Sequence, residues 1–245
     1  MQIVDKGAGA PLVLIPGIQG RWEYLGPAID ALSTSFRVIT FPLRGERRSG
    51  GAYDPARGLD NYADQIVDVL DTLHIDRAIV CGISFGGLIA LHAAACHSHR
   101  VAALILVSTP GPTWRPLKRH MFYARMPRLL GPLFLAEAPW RLRNEISHGF
   151  WKLGSLLKAP LSLTRMAQRG QAISSADTLA DCARVTAPTL VVTGERSLDR
   201  IVPVDGSLEY LRLIRGATSA TIEGTGHLGA ITRPERFTEI VNHAA

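Results

Sequence analysis

Arg77-Ala78-Ile79-Val80-Cys81 reads as a buried strand, and it runs directly into Gly82-Ile83-Ser84-Phe85-Gly86-Gly87. Leu88 to Ala95, behind that turn, reads as an apolar helix. A chain passes this sharply from strand to helix only where close approaches are free of side chains. Gly82 and Gly86 supply that room, because a Cβ at either position would crowd the turn. The serine between them is held out at the carboxyl end of a sheet. The amino terminus of the next helix points at the same spot and favours negative charge there. Gly-x-Ser-x-Gly alone is a common pattern; between a strand and a helix it is far more specific.

The flanking sequence repeats the strand-helix rhythm. Gly7 to Ala10 is a turn between two early strands, and Pro11 to Ile15 is an apolar run that stops at Pro16-Gly17. Residues 22–33 have helical spacing, Phe36 to Phe41 is a strand, and 42–59 is a polar loop rich in Gly and Arg. Residues 60–73 predict an amphipathic helix with Ile66, Val67, Leu70 and Leu73 on one face. Ala102 to Val107, Thr189 to Thr193 and Ala220 to Glu223 are further strands, and Pro234 to Val241 is a closing helix. Alternation of this kind predicts an α/β fold: a mostly parallel sheet with helices on both faces.

The rhythm breaks at Pro110-Gly111-Pro112 and resumes at Ala187-Pro188. The expected division is a core of residues 1–110 and 185–245, interrupted by a helical lid over 111–184. Pro127, Pro132, Pro139 and Pro160 break the lid's helical patterns, and Trp114, Trp140, Trp151, Phe122, Tyr123, Phe134 and Phe150 lie within it. These aromatics either line a substrate pocket or pack the lid onto the core, and packing is the commoner use.

A chain of 245 residues that is 47% hydrophobic suits one sizeable domain with a full core. Its net charge of +6 is local: residues 111–184 hold 12 Lys/Arg against 4 Asp/Glu, and the remainder is slightly acidic. No nucleic-acid motif accompanies that excess, so no nucleic-acid partner is expected; most of these arginines read as the wet face of helices. The amino terminus lacks the basic-then-apolar order of a secretory signal, and no apolar run reaches the length of a membrane span. A soluble cytoplasmic protein is the expectation. Cys81, Cys96 and Cys182 fit neither a metal spacing nor a disulfide framework. His92, His97 and His99 could in principle bind a metal, but read more simply as solvated histidines at a helix end.

A serine hydroxyl is a poor nucleophile near neutral pH and needs a base, which in turn needs an orienting acid. Strand ends after Ser84 are where these partners belong. The strand 189–193 leads into Gly194-Glu195-Arg196-Ser197-Leu198-Asp199, and the strand 220–223 leads into Gly224-Thr225-Gly226-His227. His227, flanked by glycines at a strand end, is the candidate base. Asp199 is the candidate acid, with Glu195 as its rival.

These pieces together resemble the α/β-hydrolase fold family over nearly the whole chain. The matching segments are Pro16-Gly17, Leu43-Arg44-Gly45, Gly82 to Gly87, Asp199 to Pro203 and Gly226-His227. The resemblance implies Ser84 as nucleophile, His227 as general base and then acid, and Asp199 as its partner. It further implies an oxyanion hole from the backbone N–H groups of Ile18 and Phe85, and chemistry without metal or cofactor. Family members often carry His-Gly where Pro16-Gly17 stands, and Asp where Pro42 stands. The implied activity is hydrolysis of small carboxylic esters or lactones. Enol-lactonase, carbon–carbon bond hydrolase, acyltransferase and non-catalytic ligand receptor remain open on the same triad.

Overall fold

The computed structural model describes residues 1–137, 140 and 160–244. Seven strands form one sheet: β1 (Val4–Lys6), β2 (Pro11–Ile15), β3 (Arg37–Thr40), β4 (Ala78–Ile83), β5 (Val101–Val107), β6 (Thr189–Thr193) and β7 (Thr218–Thr221). Their spatial order is β1-β3-β2-β4-β5-β6-β7. Only β1 runs antiparallel, and it pairs with β3 rather than with its sequence neighbour β2. β4, which carries the serine turn, lies at the centre between β2 and β5.

Residues of the central strands are buried on both sides, as a parallel sheet covered twice requires. Val13, Ile15, Val80, Leu104, Leu106 and Val191 face one core. Leu12, Leu14, Ile79, Cys81, Ile105 and Val192 face the other. Helices α2 (Asp60–Thr72) and α3 (Phe85–Cys96) cover the first face. Helix α1 (Gly26–Leu32) and the last helix (Pro234–Ala244) cover the second. Helix α3 is apolar nearly all round, because it is also flanked by α2 and by a helix after β5.

Several element boundaries differ from expectation. In α2 it is Val69, with Tyr62, Ile66 and Leu70, that is fully buried; Val67 is half-buried. The last strand begins two residues earlier than its apolar residues suggest, because polar Thr218 and Ser219 pair with Leu190 and Val191 at a partly exposed edge.

Between β5 and β6 the chain forms α4 (Lys118–Tyr123), α5 (Pro127–Ala136), α6 (Leu163–Ser175) and α7 (Thr178–Arg184) among the described residues. Pro127 opens α5, as its fixed φ and missing N–H allow, but Pro132 lies inside that helix rather than breaking it. Trp114 packs against the core, whereas Phe122 and Trp140 are exposed. Pro139, Phe150 and Trp151 lie outside the described residues. Helix α7 packs along α3, and α6 reaches the carboxyl end of the sheet.

Candidate active site

Ser84 sits on the turn from β4 to α3 with φ 55° and ψ −120°, a conformation rare for a residue with a Cβ. Hydrogen bonds hold it there: its N–H donates to the Val107 carbonyl at 2.8 Å, and Gly87 N–H donates to the Ser84 carbonyl at 2.9 Å. A Cβ on Gly82 would overlap the Gly86 carbonyl, and one on Gly86 would overlap the Ile15 carbonyl. Both neighbours are backbone and cannot swing away, so the two glycines are steric requirements of the turn.

Two further loops converge on Ser84. The loop after β6 is fastened to the loop after β7: Glu195 N–H donates to the Thr225 carbonyl at 2.8 Å, and Glu195 Oε1 accepts from Gly224 N–H at 2.6 Å. Gly194 packs so closely on Thr225-Gly226 that a Cβ there would overlap their carbonyls. Asp199 N–H closes back onto the Glu195 carbonyl at 3.0 Å. Glu195, the rival acid, is therefore spent as a clasp between the loops. The clasp brings Asp199 Oδ2 to 3.1 Å from His227 Nδ1, and His227 Nε2 to 3.0 Å from Ser84 Oγ.

Asp199 and His227 are both buried. Burial acts to raise the Asp199 carboxyl, but His227 and the N–H groups of Val202 and Ile201 outweigh it and hold the pKa below the ordinary value. Those two N–H groups donate to Oδ1, each at 2.9 Å. An ionised carboxylate only accepts, so Nδ1 of neutral His227 carries the proton and Nε2 presents a lone pair to the serine.

The turn Gly17–Gly20 lies against the same serine. A Cβ on Gly17 would stand 3.5 Å from Ser84 Cβ. Gly20 N–H donates to the Gly17 carbonyl at 2.8 Å, which fixes the peptide plane that carries Ile18 N–H. Phe85 N–H is the first of α3 and has no helical acceptor. Ile18 follows Gly17 in that turn and Phe85 follows Ser84, and none of the described hydrogen bonds engages either N–H.

Sequence reasoning missed a buried group of three residues close to this turn, Arg169, Glu46 and Tyr62. Arg169 of α6 is 1% exposed, although it comes from the segment whose arginines were expected to be solvated. Its Nη1 donates to the Ile18 carbonyl at 3.0 Å, and its Nη2 meets buried Glu46 Oε1 at 2.8 Å. The Tyr62 phenol, pushed up to about 12 by burial, faces the same guanidinium, which pulls the other way. No local pattern marks Arg169; the one available signal is Gly20, whose Cβ would overlap the guanidinium.

Of the histidines behind Ser84, His99 is exposed as expected, whereas His92 and His97 are half-buried. His92 Nδ1 contacts Asp181 at 2.9 Å and Nε2 contacts Asp60 at 2.7 Å. Asp60, His92 and Cys96 bring their ligand atoms within 4.8 Å of one another, but both His92 nitrogens are engaged with carboxylates. His97 pairs with Asp64 at 3.3 Å. Cys81 and Cys182 are buried thiols, and Cys96 is exposed. No helix among the described residues is long and apolar enough to cross a membrane.

Comparison with known proteins places the fold in a family. The profile of the alpha/beta hydrolase family matches residues 12–240. The chain belongs to the alpha/beta hydrolase family. Within the curated alpha/beta hydrolases, the putative carbamate hydrolase RutD of Yersinia enterocolitica is 28% identical over 97% of this chain and 87% of its own length. A thermophilic esterase from Thermogutta terrifontis is 26% identical, with a TM-score of 0.80 over 99% of this chain and 91% of that one. The enol-lactonase of Burkholderia xenovorans shares the fold, with a TM-score of 0.80 at 23% identity over 99% of this chain and 95% of that one.

Proposed function

We propose that this alpha/beta hydrolase is a serine-dependent hydrolase of small carboxylic esters or lactones, acting through an acyl-enzyme on Ser84. The observation that carries the reading is the continuous line Ser84 Oγ, His227 Nε2, His227 Nδ1, Asp199 Oδ2, with contacts of 3.0 and 3.1 Å. Both distances suit proton transfer and orientation.

In this reading Ser84 Oγ attacks the acyl carbonyl while Nε2 takes its proton. Negative charge on the former carbonyl oxygen is met by the N–H groups of Ile18 and Phe85, a contribution of roughly 3 kcal/mol per donor in comparable sites. The imidazolium, stabilised by Asp199, hands its proton to the leaving oxygen. Water then repeats the sequence on the acyl-enzyme, with His227 again as base. The helices between β5 and β6 act as a lid, residues 111–184, over the carboxyl end of a core made of 1–110 and 185–245. The name of the Yersinia relative makes carbamates the first alternative substrate class to compare, since a carbamate carbonyl would be attacked by Ser84 in the same way.

The test is turnover of p-nitrophenyl esters of increasing acyl length by the wild type and Ser84→Ala, with a p-nitrophenyl carbamate alongside. Sustained release by the wild type that drops by at least about 10³-fold in Ser84→Ala supports the reading. A single stoichiometric release without turnover points instead to acyl transfer or ligand reception.

A further inference from the structure

We infer that Arg169 is a positioning residue for the oxyanion loop, and that helix α6 sets the geometry of the Ile18 N–H through it. The inference rests on the proposed function for its catalytic consequence, but not for its structural content.

Two of the three peptide planes in the turn Gly17–Gly20 bear on the Ile18 N–H. The plane between Gly17 and Ile18, which carries the donor, is held by Gly20 N–H on the Gly17 carbonyl at 2.8 Å. The next plane, between Ile18 and Gln19, is held from outside the turn by Arg169 Nη1 on the Ile18 carbonyl at 3.0 Å. Both planes must be held, because rotation of the second strains the hydrogen bond that orients the first. The guanidinium fills the space over Gly20, which has φ +71° and where any Cβ would overlap it.

The anchor behind Arg169 is rigid. Glu46 Oε1 receives Nη2 at 2.8 Å, and its other oxygen receives Arg165 Nη1 at 2.9 Å. Glu46 sits in a tight loop whose Leu43 N–H donates to the Gly20 carbonyl at 2.9 Å. Buried Gln65 of α2 bonds the Pro42 and Ser49 carbonyls and the Arg44 N–H of that loop. The Tyr62 ring, whose phenol faces Arg169, packs edge-on against Phe85, the residue bearing the second donor. One buried side chain of α6 therefore touches the surroundings of both N–H groups. A planar guanidinium meets a carbonyl and a carboxylate at once; a lysine ammonium has no such fork.

The test uses the full chain as wild type, Arg169→Lys, Arg169→Met and Glu46→Gln/Arg169→Met. The double variant removes the carboxylate that Arg169→Met leaves short of its partner, so it keeps the comparison available if the single variant folds poorly. The first readout is amide hydrogen exchange. Peptides covering 16–20 should exchange at least about tenfold faster in all three variants while 101–107 keeps its wild-type rate. The second readout is the kcat and KM split on a p-nitrophenyl ester. A fall in kcat of about 10- to 100-fold with KM within twofold is expected, and it should persist in the double variant even where Tm recovers. Unchanged exchange at 16–20 in a folded variant, or wild-type kcat in the double variant, would overturn the inference. If the wild type turns over no ester, the proposed function fails, and exchange at 16–20 alone decides the role of Arg169.

Discussion

Asp199 binds His227 through one carboxylate oxygen and its own loop through the other. Oδ2 stands 3.1 Å from Nδ1, and Oδ1 accepts from Ile201 and Val202 N–H at 2.9 Å. Asp199→Asn keeps a carbonyl oxygen for those two donors but turns an NH2 toward Nδ1. The imidazole must then carry its proton on Nε2, where it cannot accept one from Ser84. The expected result is a loss of about 10³- to 10⁴-fold in kcat at unchanged fold, read from ester kinetics beside far-ultraviolet circular dichroism.

The same carboxyl sets an acid limit on stability. Its folded pKa lies below the ordinary value, despite burial that works the other way. Its contribution is therefore complete above the unfolded value near ~3.9 and is lost as pH falls through the lower folded value. Thermal melts of wild type and Asp199→Asn should converge as pH is lowered below ~4. A gap that widened toward acid would contradict the assignment.

His92 gives the opposite sign. Burial works to lower its pKa, but Asp181 and Asp60 outweigh that and raise it. Stabilisation by the charged imidazole is complete below the unfolded value of ~6.5 and fades as pH climbs through the raised folded value. The Tm difference between wild type and His92→Gln should shrink between about pH 6 and 9, as the imidazole loses its proton.

Two glycine substitutions should move stability in opposite directions. Gly86→Ala drives a Cβ into the Ile15 carbonyl and to 2.7 Å from the Pro16 carbonyl, so the serine turn or the loop before Ile18 must shift. A cost of about 1–3 kcal/mol follows, or roughly 2–4 °C of Tm per kcal/mol in a chain of this size. Gly170→Ala, inside α6 with nothing within 4 Å of the new Cβ, should instead add about 0.4–1 kcal/mol. Paired melting curves check both.

Thiol reactivity should separate the three cysteines. Burial raises all three thiols, but Cys81 and Cys182 are enclosed and Cys96 alone is exposed to a reagent. A chromogenic disulfide reagent should titrate one thiol rapidly in the native protein and the rest only on unfolding.

What sequence alone could convey divides along the line between local and long-range contacts. The turn at Ser84 was legible because its glycines are demanded by neighbours only a few residues away. The parallel strands were legible because burial on both faces leaves uninterrupted runs such as Leu12-Val13-Leu14-Ile15. The antiparallel pairing of β1 was not, since three residues with one apolar side chain carry no direction. Asp199 could be preferred to Glu195 from its spacing to Pro203, but the contact Glu195 makes with Gly224 across to another loop was not legible. Arg169 was the least legible: an arginine in a basic segment looks solvated until Glu46, far away in sequence, is brought to it by the fold.

The central claim is that Ser84 Oγ is the group acylated in turnover. Its most direct measurement is stoichiometric inactivation by a fluorophosphonate, in which Ser84 Oγ displaces fluoride from phosphorus, followed by peptide mass mapping. The expected result is one phosphonyl group per chain, on the peptide containing Ser84, with activity lost in proportion and no labelling of Ser84→Ala or of the heat-unfolded protein. Labelling at another residue, or ester hydrolysis that continues in fully labelled protein or in Ser84→Ala, would contradict it.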